Sequence, residues 1–244
     1  MIKVSATLGA SFIVSGLMEI IIPLGIGFYI TRKFGTSWKN WFIGALMFLL
    51  SLVRLPLNTY VNQVLMAAPV TAMMIILATL VPSLTAGIFE EVARYVGLKY
   101  IIKDETYEKG LTYGAGHGGI ESIFLVGLSV LSVGVVLLTS PEVLPPDQLD
   151  MILATPVFMP LVGVYERVMA MIAQMGFSIL VLESLRKKDL KFLLAAIGLH
   201  SSLNFLAVSV VGKGVFYSEI IVTGFALGLG YWAFNKLSDE GVID

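Results

Sequence analysis

Cysteine is absent from all 244 residues of the chain. Disulfides and thiolate metal sites are therefore excluded, and cysteine usage says nothing about compartment. Charge is scarce as well. Asp, Glu, Lys and Arg make up 14% of the chain, against about 25% in a soluble domain. Their balance, a formal net charge of -1, gives no reason to expect a nucleic-acid partner. Only two histidines are present, and no His-Glu-xx-His helix of the zinc-peptidase kind. The glycine-rich stretch TYGAGHGG is not followed by Gly-Lys-Ser/Thr, so it is not a phosphate loop. The N-terminus has one basic residue, Lys3, and Glu19 interrupts its apolar run, so it reads as a true span and not as a cleavable signal.

What the chain has in abundance is apolar sequence: 57% hydrophobic residues and a mean hydropathy of +0.89. This composition predicts an all-α polytopic membrane protein, a helical bundle forming one domain over 1–244. At roughly 20 apolar residues per crossing, seven transmembrane helices are expected, near 5–30, 41–61, 70–102, 110–139, 151–185, 191–210 and 217–235. The third and fifth are too long for one straight crossing. Proline removes a backbone donor and clashes with the preceding turn, so Pro82 is expected to break the third and Pro156 and Pro160 the fifth. A separate piece at 151–161 would make eight elements.

Basic residues collect in alternate loops: Arg32, Lys33 and Lys39; Lys99, Lys103 and Lys109; Arg186, Lys187, Lys188 and Lys191. Loops 62–69 and 140–150 have no Lys or Arg, and 211–216 has Lys213 alone. The positive-inside rule then places the protein in the cell membrane with its N-terminus outside and its C-terminus cytoplasmic. Membrane lipids are the implied surroundings.

Polar residues inside the spans are few, and an ionisable residue within the bilayer is a functional-site hypothesis by default. They fall into three stations. GIFEEVARY carries Glu90, Glu91 and Arg94; Glu90 and Arg94 are four apart and share a helix face. One carboxylate can pair with Arg94 while the other, desolvated, serves as a general base. GHGGIES carries His117 and Glu121, again four apart, among glycines that suit close helix approach. GLHSSLNF carries His200 and Asn204 at the same spacing. A neutral imidazole and a carboxamide both offer N–H donors, a pair able to hold a developing oxyanion. The plain structural alternatives are a buried ion pair, a packing histidine and a polar helix clamp. Depth argues for convergence. Glu90 lies about a dozen residues from the inner end of its span, His117 about seven and His200 about nine. At 1.5 Å per residue each sits about 10–18 Å below the cytoplasmic edge. Arg54, ahead of Pro56, is a candidate to support a carboxylate, with Glu19 as a possible partner. Glu166 and Arg167 lie nearer the outer side and suit a structural or gate-lining pair.

Together these stations resemble the glutamic-type intramembrane proteases, the superfamily of the CAAX prenyl protease and bacteriocin-processing enzymes. EEVARY, GHGGIES and HSSLN are most similar to its YhfC-type branch of membrane peptidases, over roughly 54–204. The resemblance implies a peptide or membrane-protein substrate. One Glu of the pair and His117 would activate a water, His200 and Asn204 would form the oxyanion site, and Arg94 would orient the carboxylates. Two departures are visible. The CAAX-type motif has three residues between its Glu pair and its Arg, whereas Val92 and Ala93 are two; and Tyr113 stands where that motif has phenylalanine. The choice between Glu90 and Glu91 as base therefore stays open. So do two other readings. A zinc peptidase would use His117, Glu121, His200 and one of the paired glutamates. A non-enzymatic transporter or scaffold would use the ionisable residues to relay protons or bind an ion. The expectation adopted is a metal-free and cofactor-free peptidase.

Overall fold

The computed structural model describes residues 5–67 and 71–243. Lys3, the predicted start of the third span at 70, part of loop 62–69 and the last tail residue lie outside the described residues. Those described contain no strand and seven helices long and apolar enough to cross a membrane. The protein is a multi-pass, all-α membrane bundle.

The first crossing is one helix, α1 (Ala6–Lys33). The second is broken. Helix α2 (Trp38–Ser51) ends in a turn at Leu52 and Val53, and α3 (Arg54–Met66) starts anew. Pro56 explains the break, because it has no N–H to bond back to Leu52 and is tolerated only in a first helical turn. The sequence reading expected one uninterrupted helix here. The third crossing runs the other way from expectation. Helix α4 (Ala72–Val96) passes straight through Pro82 and continues as a π-helical stretch over Gly97–Ile102. Hydroxyls flank the proline, with Ser83 Oγ donating to the Thr79 carbonyl at 2.8 Å and Thr85 Oγ1 to the Pro82 carbonyl at 3.0 Å, and membrane helices tolerate proline within a packed bundle.

The fourth crossing is α5 (Tyr107–Glu121), a π-helical stretch over Ser122–Gly127, and α6 (Leu128–Thr139). A short helix α7 (Pro146–Leu153) follows, then α8 (Met159–Arg186), α9 (Lys191–Val211) and α10 (Val215–Asp239). The eighth element therefore exists, but at 146–153 and not 151–161. The predicted fifth span is broken between α7 and α8, where Pro156 falls, while Pro160 lies in the first turn of α8, where a proline costs no hydrogen bond.

Helix α8 is the axis of the bundle. Its membrane-length window is 72% buried, against 17–39% for the other six. It packs on α1, α5, α9 and α10, while α2 lies on α5 and α4 on α9. Glycine permits the tightest of these crossings. A Cβ at Gly44 of α2 would collide with the Tyr113 carbonyl, and one at Gly116 of α5 with the Trp41 carbonyl. A Cβ at Gly114 would stand 2.8 Å from the Met175 Cα of α8. The glycines around His117 therefore let α5 slide between α2 and α8 and bring its imidazole to the centre. Large apolar side chains such as Phe28, Ile75, Ile220 and Tyr231 point outward, as lipid contact requires.

Candidate active site

Three helices deliver the three stations to one place. Glu90, Glu91 and Arg94 from α4, His117 from α5 and His200 from α9 are all buried. The Glu90 carboxylate is the hub. Its Oε2 lies 3.2 Å from His117 Nε2 and 3.8 Å from His200 Nε2. Its Oε1 is 2.9 Å from Arg54 Nη2. The break between α2 and α3 makes that last contact possible, since it puts Arg54 at a helix start inside the bundle. Arg54 thus partners Glu90 and not Glu19, as the sequence had suggested.

Arg94 takes the other carboxylate. Its Nε donates to Glu91 Oε2 at 3.0 Å and its Nη2 approaches Glu91 Oε1 at 3.4 Å. The i,i+4 spacing of Glu90 and Arg94 is not used. The guanidinium is turned toward α8, where the Gln174 carbonyl accepts at 3.1 Å and Ser178 Oγ and Gln174 Oε1 accept as well. A residue three back, Glu91, lies under a side chain so directed.

His200 Nδ1 is 2.7 Å from Glu91 Oε1. Because Arg94 holds Glu91 as a carboxylate, an acceptor only, the proton of this contact belongs to Nδ1. Neutral His200 then presents a lone pair at Nε2, and it donates from Nε2 only as imidazolium. The expectation of a neutral donor at this position is corrected accordingly. Phe177 of α8 stacks on the ring, with centroids 4.8 Å apart and planes within 10°. The His117 ring is fixed by the edge of Phe48, at 5.2 Å between centroids, and its Nδ1 has no partner among the described residues.

Glu121 does not support His117. At the last turn of α5 it faces α8, accepting from Gln174 Nε2 at 2.8 Å and lying 3.4 Å from Arg167 Nη1. Arg167 also pairs with Glu166. Gln174 is the residue the sequence reading missed. Its amide joins Glu121 and, at 3.4 Å, Glu90, while its two oxygens hold Arg94. The available signal was a polar pair, Gln174 and Ser178, four apart in the apolar run of α8.

A cavity of about 340 Å³ opens onto this network. His200 and half-buried Asn204 line one part, and Glu121, Glu166 and Arg167 another. Glu166 and Arg167 therefore line the same space as the histidine. A larger groove of about 690 Å³ between α8, α9 and α10 is almost wholly apolar and offers no group for chemistry.

The chain is 34% identical over 239 residues to a protein of Bacillus subtilis (strain 168) described as "Uncharacterized membrane protein YhfC", covering 89% of this chain and 92% of the relative. No solved structure matches. Residues 18–227 match the family described as "YhfC intramembrane metalloprotease". The chain belongs to this YhfC family of intramembrane proteases.

Proposed function

We propose that the protein cleaves peptide bonds within the membrane, using a water activated by Glu90 with His117 and an oxyanion site formed by Asn204 and His200. The observation that carries this reading is the approach of both histidine Nε2 atoms to one carboxylate oxygen, Glu90 Oε2, at 3.2 and 3.8 Å. Arg54 pairs with Oε1, and Oε2, which His117 Nε2 approaches at 3.2 Å and Gln174 Nε2 at 3.4 Å, is the oxygen we assign to take the proton from water. Asn204 lines the adjoining cavity, and in this reading its carboxamide N–H donates to the carbonyl oxygen as it gains charge. His200 adds a second donor at Nε2 when it is imidazolium, a form that Glu91 stabilises through Nδ1. Arg94 positions Glu91 and touches no reacting atom.

The family description implies a metal, and two features of the donor set favour a metal-free reaction in our reading. The nitrogen through which His117 would ligate is engaged with Glu90, and its other nitrogen lacks the acceptor that a zinc-bound histidine normally has. Glu90, the carboxylate nearest both rings, already has its charge balanced by Arg54. Positive-inside reasoning from Arg32, Lys103 and Arg186 orients the basic loops toward the cytoplasm.

The test is a mass-spectrometric comparison of membrane peptides from cells carrying wild-type protein or Glu90→Gln. Fragments present only with the wild type are expected. Identical fragment sets from two equally expressed proteins would defeat the proposal.

A further inference from the structure

The cavity beside His200 runs toward one end of the bundle only. On α9 its walls are His200, Leu203, Asn204, Ala207, Val208 and Val211, one continuous helix face that ends at the last residue of the helix. Eleven residues at 1.5 Å each make that face about 16 Å long. On α8, which packs beside α9 and runs the opposite way, the lining extends from Phe177 back to Glu166, the same distance in the same direction. On α10 it consists of Ser218 and Val222, in the first turns of the helix. All three stretches lead away from Arg186–Lys191 and toward the connection at 212–214. Exposure rises along the way, from 3% at His200 and 9% at Ala207 to 54% at Val208 and 51% at Val211.

The opposite end is closed. Phe177 lies flat on the His200 ring, and every residue of α8 from Gly176 to Leu185 is buried. Ala196, one turn before His200 on α9, is buried in the same core. Gly110 and Gly114 bring α5 close onto Leu182 and Ser178. A groove of about 420 Å³ at the basic end, beside Lys33 and Leu237, includes none of the site residues. Charge placement agrees. Glu121, Glu166 and Arg167 keep 16–32% of their side chains exposed within the spans. Charges in a span face the bundle interior or a water-filled cavity, and these three line the cavity beside His200. Depth alone, about 10–18 Å below the cytoplasmic edge, favours entry from that edge. The packing favours the other.

We infer that water and substrate enter from the membrane face opposite the basic loops, which the positive-inside rule makes the outer face. The substrate class follows: an exported or membrane-anchored polypeptide that presents its scissile segment at the outer face, and not a cytoplasmic chain. That the occupant is a peptide rests on the peptidase reading; the direction of the opening does not.

Because the chain has no cysteine, one introduced thiol reports alone. Ala207→Cys and Ser218→Cys place it inside the cavity and at its mouth. Asp147→Cys and Lys33→Cys, at exposed positions, mark the two ends of the bundle. Leu206→Cys, 42% exposed and outside this cavity, marks the lipid-facing side of α9. The full-length variants, checked for a wild-type unfolding midpoint, are treated in sealed membrane vesicles with a membrane-impermeant cationic methanethiosulfonate. Ala207→Cys and Ser218→Cys should be modified from the side that reaches Asp147→Cys and stay intact from the side that reaches Lys33→Cys. Leu206→Cys should resist from both. Ser218→Cys serves alone if Ala207→Cys does not fold. Modification from the Lys33 side, or from neither side for a thiol that reacts in detergent, overturns the inference, as does equal modification of Leu206→Cys. The same vesicles then receive a membrane-impermeant quenched peptide on one side at a time. Cleavage confined to the Asp147 side, and lost once Ala207→Cys is modified, supports the substrate class. Cleavage from the Lys33 side refutes it and leaves the peptidase standing. Modification from the Asp147 side with no peptide cleaved supports the opening and counts against the peptidase.

Discussion

Exchanging each paired glutamate for glutamine separates base from scaffold, because the two stand in different electrostatic company. Glu91 and Arg94 are both fully buried, and the other acceptors of Arg94 are neutral: Ser178 and the two oxygens of Gln174. Glu91→Gln leaves that guanidinium without a counter-charge, a loss of about 3–5 kcal/mol in stability for one partner of a buried pair. Glu90→Gln is milder. Its partner Arg54 keeps a contact with Ser51 Oγ at 3.4 Å, and its side chain is 10% exposed. About 1–3 kcal/mol is expected, the cost of one charged group losing a strong acceptor. Activity should fall in the opposite order. Glu90→Gln removes the base and slows turnover by about 10²–10⁴. Glu91→Gln keeps the base and disturbs only the Nδ1 contact of His200, so the protein that remains folded retains measurable turnover. Stability is read from unfolding in mixed detergent, and activity from a quenched peptide assay at a temperature where both variants are folded. A stable but inactive Glu91→Gln beside a destabilised but active Glu90→Gln would refute the assignment and make Glu91 the base.

Four further outcomes are expected. Asn204→Ala should fold normally and bind substrate but turn over about 10²–10³ more slowly, the usual loss of one oxyanion donor; unchanged turnover would leave Asn204 a packing residue. Purified protein should carry no stoichiometric transition metal by elemental analysis and keep its activity through exhaustive chelation; loss on chelation and recovery with zinc would place it among metallopeptidases. A label within 140–150 should be reachable in intact cells and labels near Lys103 and Arg186 only after permeabilisation; the reverse pattern would invert the topology. Gly116→Ala should cost at least about 1–3 kcal/mol by overpacking, since its Cβ has no room beside the Trp41 carbonyl; a wild-type unfolding midpoint would mean that the α2–α5 crossing is looser than described.

The crossings and the three stations were legible in the sequence because both rest on residue type. A long apolar run must be a helix in lipid, and an ionisable residue within it must have company. Which company it keeps was not legible. Spacing of i,i+4 says which side chains share a face, and two such pairs, Glu90–Arg94 and His117–Glu121, gave way to other partners. Glu121 turns from His117 to Gln174 and Arg167, Glu90 goes to Arg54, and Arg94 reaches α8 and takes Glu91 instead. Proline was misread for a related reason. Pro82 lies inside a continuous helix, while Pro56 lies in the first turn of a helix that restarts at Arg54. The restart is what carries Arg54 to the site, so the same misreading hid the Glu90 pair.

That pair bears on the chemistry proposed. Glu90 and Glu91 bring two negative charges to the station, and Arg54 and Arg94 two positive ones. Attack by water moves a proton onto Glu90 and puts a negative charge on the substrate oxygen. Arg54 then faces a neutral acid, and its field acts on the nearby oxyanion instead. The step leaves the net charge of these four groups and the substrate unchanged and only displaces charge within a low-dielectric interior, where isolated charge is most costly, and an imidazolium at His200 adds one positive charge facing the oxyanion. A packing role alone requires one buried carboxylate and one cation. Two of each, held apart so that only one carboxylate faces the histidines' Nε2 atoms, are what a proton transfer between buried groups requires.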